Sequence, residues 1–295
     1  MKIGAVRLQE AREGRSRWKK RRLRTGASLI VGVLLGLAAG VGEALSADGD
    51  PSAVAEPDLV KQANAPISSI LQVRLQDSYA PEFTEVHGQG NTFSIAVTMP
   101  FPEFRLLPIP QLSLLTLPVA VTVPGDVTGL GDLRLANIAV LGAGPRVLWG
   151  VGATLVFPTA TTPETGQGKW QAGPAAAIAI APENWLLGVL AQNPISYAGD
   201  PERADVNALL LTPFAVYQLG NGWFIRSQPQ MLFNWKTGRQ RIPLDLGVGR
   251  VFTIGRQDVN VFVEPFWNIS HDGPAPEYGV TFGVSLLYPN FWRER

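Results

Sequence analysis

The sequence predicts an all-β protein, a transmembrane antiparallel β-barrel of about twelve strands, with an even count and both termini in the periplasm. Three observations predict it. Runs of about ten residues alternate apolar side chains with small or polar ones, aromatic residues stand at the ends of the apolar faces, and the connections alternate between short and long.

The last run, Glu277 to Tyr288, shows the pattern most clearly. Tyr278, Val280, Phe282, Val284, Leu286 and Tyr288 form one face, while Glu277, Gly279, Thr281, Gly283 and Ser285 form the other. Side chains alternate across a strand, so one face suits lipid and the other a lumen. A β-sandwich also alternates. The aromatic ends of the apolar faces decide between the two, because they match the interfacial girdles of a barrel.

The same reading extends along the chain. Arg146 to Phe157 places Val147, Trp149, Val151, Ala153, Leu155 and Phe157 on one side. Trp223 to Lys236 has tryptophans at both ends of its apolar face, with Arg226, Gln228, Gln230, Asn234 and Lys236 opposite. Asp258 to Ile269 sets Val259, Val261, Val263, Pro265, Trp267 and Ile269 against Asp258, Asn260, Glu264 and Asn268.

Twelve strands follow, over 69–79, 91–101, 109–123, 130–141, 146–158, 168–181, 185–197, 205–218, 222–236, 240–254, 258–270 and 277–288. Connections after the fourth, sixth, eighth and tenth are tight and periplasmic; those after the first, fifth, seventh and eleventh are longer and extracellular. Two features resist this reading. Prolines 174, 194, 213, 229, 243 and 265 lie inside runs, where each removes a ladder donor, and Leu112 to Val121 is apolar on both faces.

The N-terminus reads as a signal peptide over residues 1–47. It has a basic Arg15 to Arg24 stretch, an apolar Ala27 to Val41 core and a small-residue cleavage site at Ala44-Leu45-Ser46-Ala47. That segment holds ten of the 25 basic and three of the 24 acidic residues, which leaves 15 basic against 21 acidic residues and a net charge of −6. The basic run is therefore a targeting device, and no nucleic-acid partner is predicted. Residues 48–67, rich in Ala, Pro and Asp, read as a periplasmic linker or a plug, 68–290 as the barrel and 291–295 as a tail. The chain has no cysteine, which excludes disulfides, lipobox acylation and thiolate metal ligands.

Enzyme chemistry is scarce. The Ser270-His271-Asp272 run has the letters of a triad, but adjacent residues do not converge as a triad requires. Gly247-Val248-Gly249 lacks the third glycine of a dinucleotide fingerprint and reads as lumen-facing glycine that leaves space. No cofactor, metal site or catalytic residue is predicted. The inward face is the informative one. Asp132, Arg134, Arg146, Lys169, Arg226, Gln228, Gln230, Asn234, Arg241, Asp245, Asn260 and Glu264 are the candidate pathway residues, because such groups are unsupportable in lipid but natural around water or a polar solute. Arg226 and Glu264 are expected at similar depth, reaching across a strand that carries Gly247 and Gly249. The alternative is a solid lumen of paired side chains.

Several segments together resemble a family of Gram-negative outer-membrane proteins named for the meta pathway of phenol degradation. They are Thr128-Gly129-Leu130-Gly131-Asp132, Phe157-Pro158-Thr159, Gly166-Gln167-Gly168-Lys169-Trp170, Gly173-Pro174, Pro213 to Tyr217, Gly222-Trp223, Asn234-Trp235-Lys236 and Pro243 to Val251. The resemblance implies a barrel in the outer membrane and a route for small, aromatic or hydrophobic molecules. The chain departs from the usual barrel ending, since Phe291-Trp292 is followed by Arg-Glu-Arg. Outer-membrane lipid, the barrel assembly machinery and a small-molecule solute are the expected partners. A closed structural or adhesive barrel and an outer-membrane hydrolase are the rival readings.

Overall fold

A computed structural model describes residues 57–66, 68–103, 108–144 and 146–289. Residues 1–47, read from the sequence as a signal peptide, and 291–295, read as a tail, lie outside the described residues. A short helix, α1 (Pro57–Asn64), precedes sixteen strands: β1 (Leu71–Phe83), β2 (Gly90–Phe101), β3 (Gln111–Val123), β4 (Val127–Gly129), β5 (Leu133–Ala143), β6 (Val147–Phe157), β7 (Lys169–Ile180), β8 (Trp185–Gln192), β9 (Ile195–Gly199), β10 (Ala208–Gly220), β11 (Trp223–Ser227), β12 (Met231–Asn234), β13 (Gln240–Asp245), β14 (Gly247–Ile254), β15 (Gln257–His271) and β16 (Pro276–Tyr288). The pairs β8/β9, β11/β12 and β13/β14 are each one crossing in two pieces, and β4 is an arm folded back on β3. Twelve antiparallel crossings remain. The first and last pair with each other from Leu71↔Tyr288 to Ser78↔Thr281, which closes the barrel.

The twelve sequence-derived strands correspond one to one with these crossings. Two prolines mark breaks, Pro194 between β8 and β9 and Pro229 between β11 and β12, where a missing donor interrupts the ladder. Pro174, Pro213, Pro243 and Pro265 stay within strands. The connection lengths differ from expectation in two places. Only residues 272–275 join β15 to β16, and residues 102–110 make the β2–β3 connection the longest on the otherwise tight end.

Outside, the barrel carries two aromatic belts. Trp149, Trp185, Trp223 and Tyr288 stand exposed near the tight-turn end, and Tyr79, Trp170, Tyr197, Trp235, Trp267 and Tyr278 near the long-loop end. Val151, Ile178, Ile225, Val248, Phe282 and Leu286 are exposed between them. An apolar band bounded by aromatic rings is the surface that a bilayer requires of a closed barrel. No described helix is long and apolar enough to cross a membrane; the strands do so. The protein is an outer-membrane β-barrel.

Inside, phenyl rings cover inward glycines. A Cβ on Gly249 would lie 2.4 Å from Phe224, one on Gly283 2.2 Å from Phe262, and one on Gly188 2.4 Å from Phe214. The glycines on the inner face thus accept rings from neighbouring strands, which fill the interior that glycine leaves open.

Candidate functional site

The lumen is organised around α1. Val60 and Ala63 are buried and belong to one apolar cluster with Leu186, Phe214, Val216, Phe224, Val251, Phe262 and Leu287, inward residues of the strands that make up half of the barrel, crossings seven to twelve. A helix touching that set can only stand within the barrel. Lys61 Nζ donates to the carbonyl oxygen of Glu183 in the β7–β8 turn, which fixes the helix at the tight-turn end.

The C-terminal end of α1 meets the wall through its carbonyls. The oxygen of Ala63 accepts from Gln72 Nε2 at 3.2 Å, Arg74 Nη2 at 3.2 Å and Asn260 Nδ2 at 3.3 Å. The last carbonyls of a helix lack intrahelical donors and carry the negative end of its dipole, so a guanidinium and two amides supply what the backbone cannot. Asn64 closes the helix, its Nδ2 donating to Val60 O at 2.9 Å and its Oδ1 accepting from Arg226 Nη1 at 3.3 Å.

Arg226 continues the charged wall. Its Nε lies 2.6 Å from Glu264 Oε2, both side chains being almost wholly buried. The contact is charge against charge, without the angle of a linear hydrogen bond. Gly247 on the intervening β14 leaves the room: a Cβ there would meet Glu264 Cβ at 2.9 Å. Phe262 lies beneath two cations, with the Arg226 guanidinium carbon 4.2 Å and that of Arg74 5.8 Å from its ring centre. Asp245 completes the group, Oδ1 accepting from Ser227 Oγ at 3.0 Å and the Gln228 amide at 2.6 Å.

The opposite wall is apolar, which corrects the expectation of a polar lumen. Leu112, Ile138, Ala175 and Leu190 form a second buried cluster, with Val140, Leu148 and Ala177 against it. This explains why β3 is apolar on both faces: Leu115 faces lipid, while Leu112 and Leu114 pair with the inward Ile138 and Ala136 of β5. A gap of about 20 Å3, room for a single water, lies between this wall, Phe214 and Pro66 just beyond α1.

The remaining candidates separate by position. Asp132 holds a loop, its two oxygens accepting from the amides of Ala160 at 3.1 Å and Gln167 at 2.7 Å. Lys169 Nζ lies 3.3 Å from Asp205, which Lys236 approaches at 3.7 Å. Asn234 Oδ1 caps the β12–β13 turn through the amides of Lys236 and Thr237. Gln228 accepts from Arg226 Nη2, whereas Gln230 is exposed in the break between β11 and β12. Arg146 does not line the lumen; it sits exposed in the β5–β6 turn, because the strand starts one residue later than the alternation suggests. Arg134 and Arg241 occupy inward positions near the long-loop end.

Sequence reasoning missed Gln72, Arg74 and Phe262 as lumen residues. The signal was present for Arg74, since Leu71-Gln72-Val73-Arg74-Leu75-Gln76 alternates as cleanly as any run in the chain. The triad letters make only local contacts among the described residues. His271 Nδ1 lies 3.1 Å from Gly273 O and 3.5 Å from Thr84 Oγ1, while Ser270 Oγ accepts from Gln240 Nε2 at 3.3 Å.

No protein-family model matches the chain, and no curated protein matches it. The resemblance to the phenol meta-pathway family therefore carries only as far as the outer-membrane barrel. Among solved structures, an outer-membrane channel from Pseudomonas putida F1 superposes with a TM-score of 0.53 at 13% identity, over 74% of this chain and 94% of that one. The NanC porin gives 0.48 at 8% identity over 74% of this chain and 98% of its own. Outer-membrane phospholipase A from Escherichia coli gives 0.41 at 10% identity over 80% and 99%. The likeness to the Pseudomonas channel is one of fold; the other two fits carry no argument.

Proposed function

We propose that the protein is a channel or transporter for small molecules, in which α1 is a plug at the periplasmic end of the lumen. The observation that carries this reading is the seating of α1. Hydrogen bonds, an ionic rim and the packing of Val60 and Ala63 against wall side chains hold the helix, and a separate element held by such contacts can be released as a unit, whereas a lumen filled by wall side chains cannot. The solute route has one charged and one apolar wall, which suits small aromatic or amphiphilic solutes in passive passage. Outer-membrane lipid and the barrel assembly machinery are the partners such a barrel needs.

Proteoliposome flux of phenylalanine against serine tests this, because neither zwitterion crosses lipid unaided and the two differ in apolar surface. Both should move faster through protein lacking residues 57–66, phenylalanine more so. Absence of flux for both, with and without the helix, would leave the structural or adhesive barrel as the better reading. Hydrolysis of lipid or peptide by the purified protein would favour the hydrolase.

A further inference from the structure

From Ala80 to Leu148 the sequence has no tryptophan and no tyrosine. That stretch builds crossings two to four, β2, β3 and β5, whereas every other crossing but the tenth carries at least one such ring. The aromatic belts therefore break at this sector. Rings of that kind hold a sheet at the two interfaces of a bilayer, and a sheet that faces protein has no such interface to hold.

The same sector turns polar groups outward. The exposed Leu115 marks the outward face of β3, and Ser113, two residues before it, pairs with Asn137 as Leu115 pairs with Leu135. Asn137 Nδ2 donates to Ser113 Oγ at 2.7 Å near the middle of β5, with both side chains part-buried. In the belt row, Tyr79 of crossing one is followed by Asn91, Thr122 and Thr128, an amide and hydroxyls where rings would stand. The outward residues of β6, β7 and β16, by contrast, are all apolar or aromatic. The Asn137–Ser113 bond uses one amide proton. It leaves Asn137 Oδ1 and the Ser113 hydroxyl proton without a partner among the described residues, and hydrocarbon supplies none. Asp77, the outward carboxylate of the neighbouring crossing, is buried, so the groups that the sector presents are neutral.

We propose that crossings two to four are the contact face for a second copy of this chain, related to the first by a two-fold axis normal to the membrane. The neutral chemistry of the sector selects this occupant. A partner recognised by charge needs an opposite charge here, whereas an unused acceptor beside an unused donor is complementary to itself. With the axis beside β3, the Ser113 hydroxyl of each copy donates to Asn137 Oδ1 of the other, and Leu115 packs on its own counterpart. Both polar groups are then satisfied away from lipid, and the missing belt is replaced by protein. The inference concerns the outer surface and holds whether or not the lumen conducts.

The chain has no cysteine, so single cysteines report the contact without background. Leu115, Val151 and Phe282 are all exposed on the outer surface, on crossings three, five and twelve. Oxidation of Leu115→Cys in native outer membranes should give a disulfide-linked dimer, and Val151→Cys and Phe282→Cys should give at least tenfold less. Light scattering of the full-length protein in mild detergent should report two copies. Asn137→Leu, which makes the sector apolar, should weaken the dimer at least tenfold, and Asn137→Gln should retain part of it. Heat-modifiable mobility establishes that each variant is folded; if Asn137→Leu does not fold, the three cysteine variants decide. Equal cross-linking at the three positions, a monomer without cross-links, or a dimer unchanged by Asn137→Leu overturns the proposal. So does a Leu115→Cys adduct with a different protein. None of these measurements reads solute passage, so a failed interface leaves the channel reading standing.

Discussion

Arg226 and Glu264 meet across β14 with 2.6 Å between Nε and Oε2, and Gly247 is the residue that lets them. The pair joins two crossings that are not neighbours, and Arg226 also holds Asn64 of α1. Gly247→Ala places a methyl group 2.8 Å from Val263 O and 2.9 Å from Glu264 Cβ. It should destabilise the barrel by about 1–3 kcal/mol, as overpacking does, read from reversible urea unfolding in lipid.

Neutralising one partner should do more than destabilise. In protein lacking residues 57–66, Glu264→Gln leaves Arg74 and Arg226 without their carboxylate and should shift ion selectivity towards anions, while Arg226→Gln should shift it towards cations. Reversal potentials across a salt gradient read the sign. Two folded variants with the native reversal potential would place the pair outside the solute route.

Val284 and Thr281 test the two faces of one strand. Val284 lies on the outward face of β16, and Thr281 donates inward to Ser78 Oγ at 3.1 Å. Val284→Arg should cost about 2–4 kcal/mol near the membrane midplane and Thr281→Arg much less. Equal losses in a folding titration would mean that inside and outside have been interchanged.

At the extracellular rim, the Lys169 ammonium, which hydrogen-bonds and attracts it, and Lys236 beside it hold the Asp205 carboxyl below the usual carboxylate range. A depressed folded-state value means that the stabilisation is fully present above the unfolded value, about 3.9 for aspartate, and is lost as the pH falls through the folded one. Protease sensitivity of the loop over residues 200–207 should therefore be the same at pH 7 and pH 5 and rise only in stronger acid. A rise between pH 7 and pH 5 would assign the loop's stability to another group.

The strands and their facing were legible because alternation is a local property: Trp223, Ile225, Arg226 and Glu264 take their sides from neighbours two residues away. Arg226 and Glu264 could be set at one depth by counting from the turns. The apolar wall was not legible, since a barrel that buries Leu112, Ile138 and Leu190 inside gives strands that are apolar on both faces and lose the alternation. Nor was α1. Eight residues of mixed polarity carry no helical period strong enough to read, and what holds them is tertiary: Arg74, Gln72 and Asn260, distant in sequence, converging on one carbonyl.

The seating of α1 is the centre of the account, and planar-bilayer conductance tests it most directly. Three proteins are compared: the full chain, the chain lacking residues 57–66, and Val60→Asp, which buries an unpaired carboxylate where Val60 is 3% exposed and should unseat the helix. The account predicts brief, rare openings for the full chain and sustained, larger conductance for both variants. Equal conductance in all three folded proteins, whether open or silent, would contradict it, because the helix would then not be what closes the lumen.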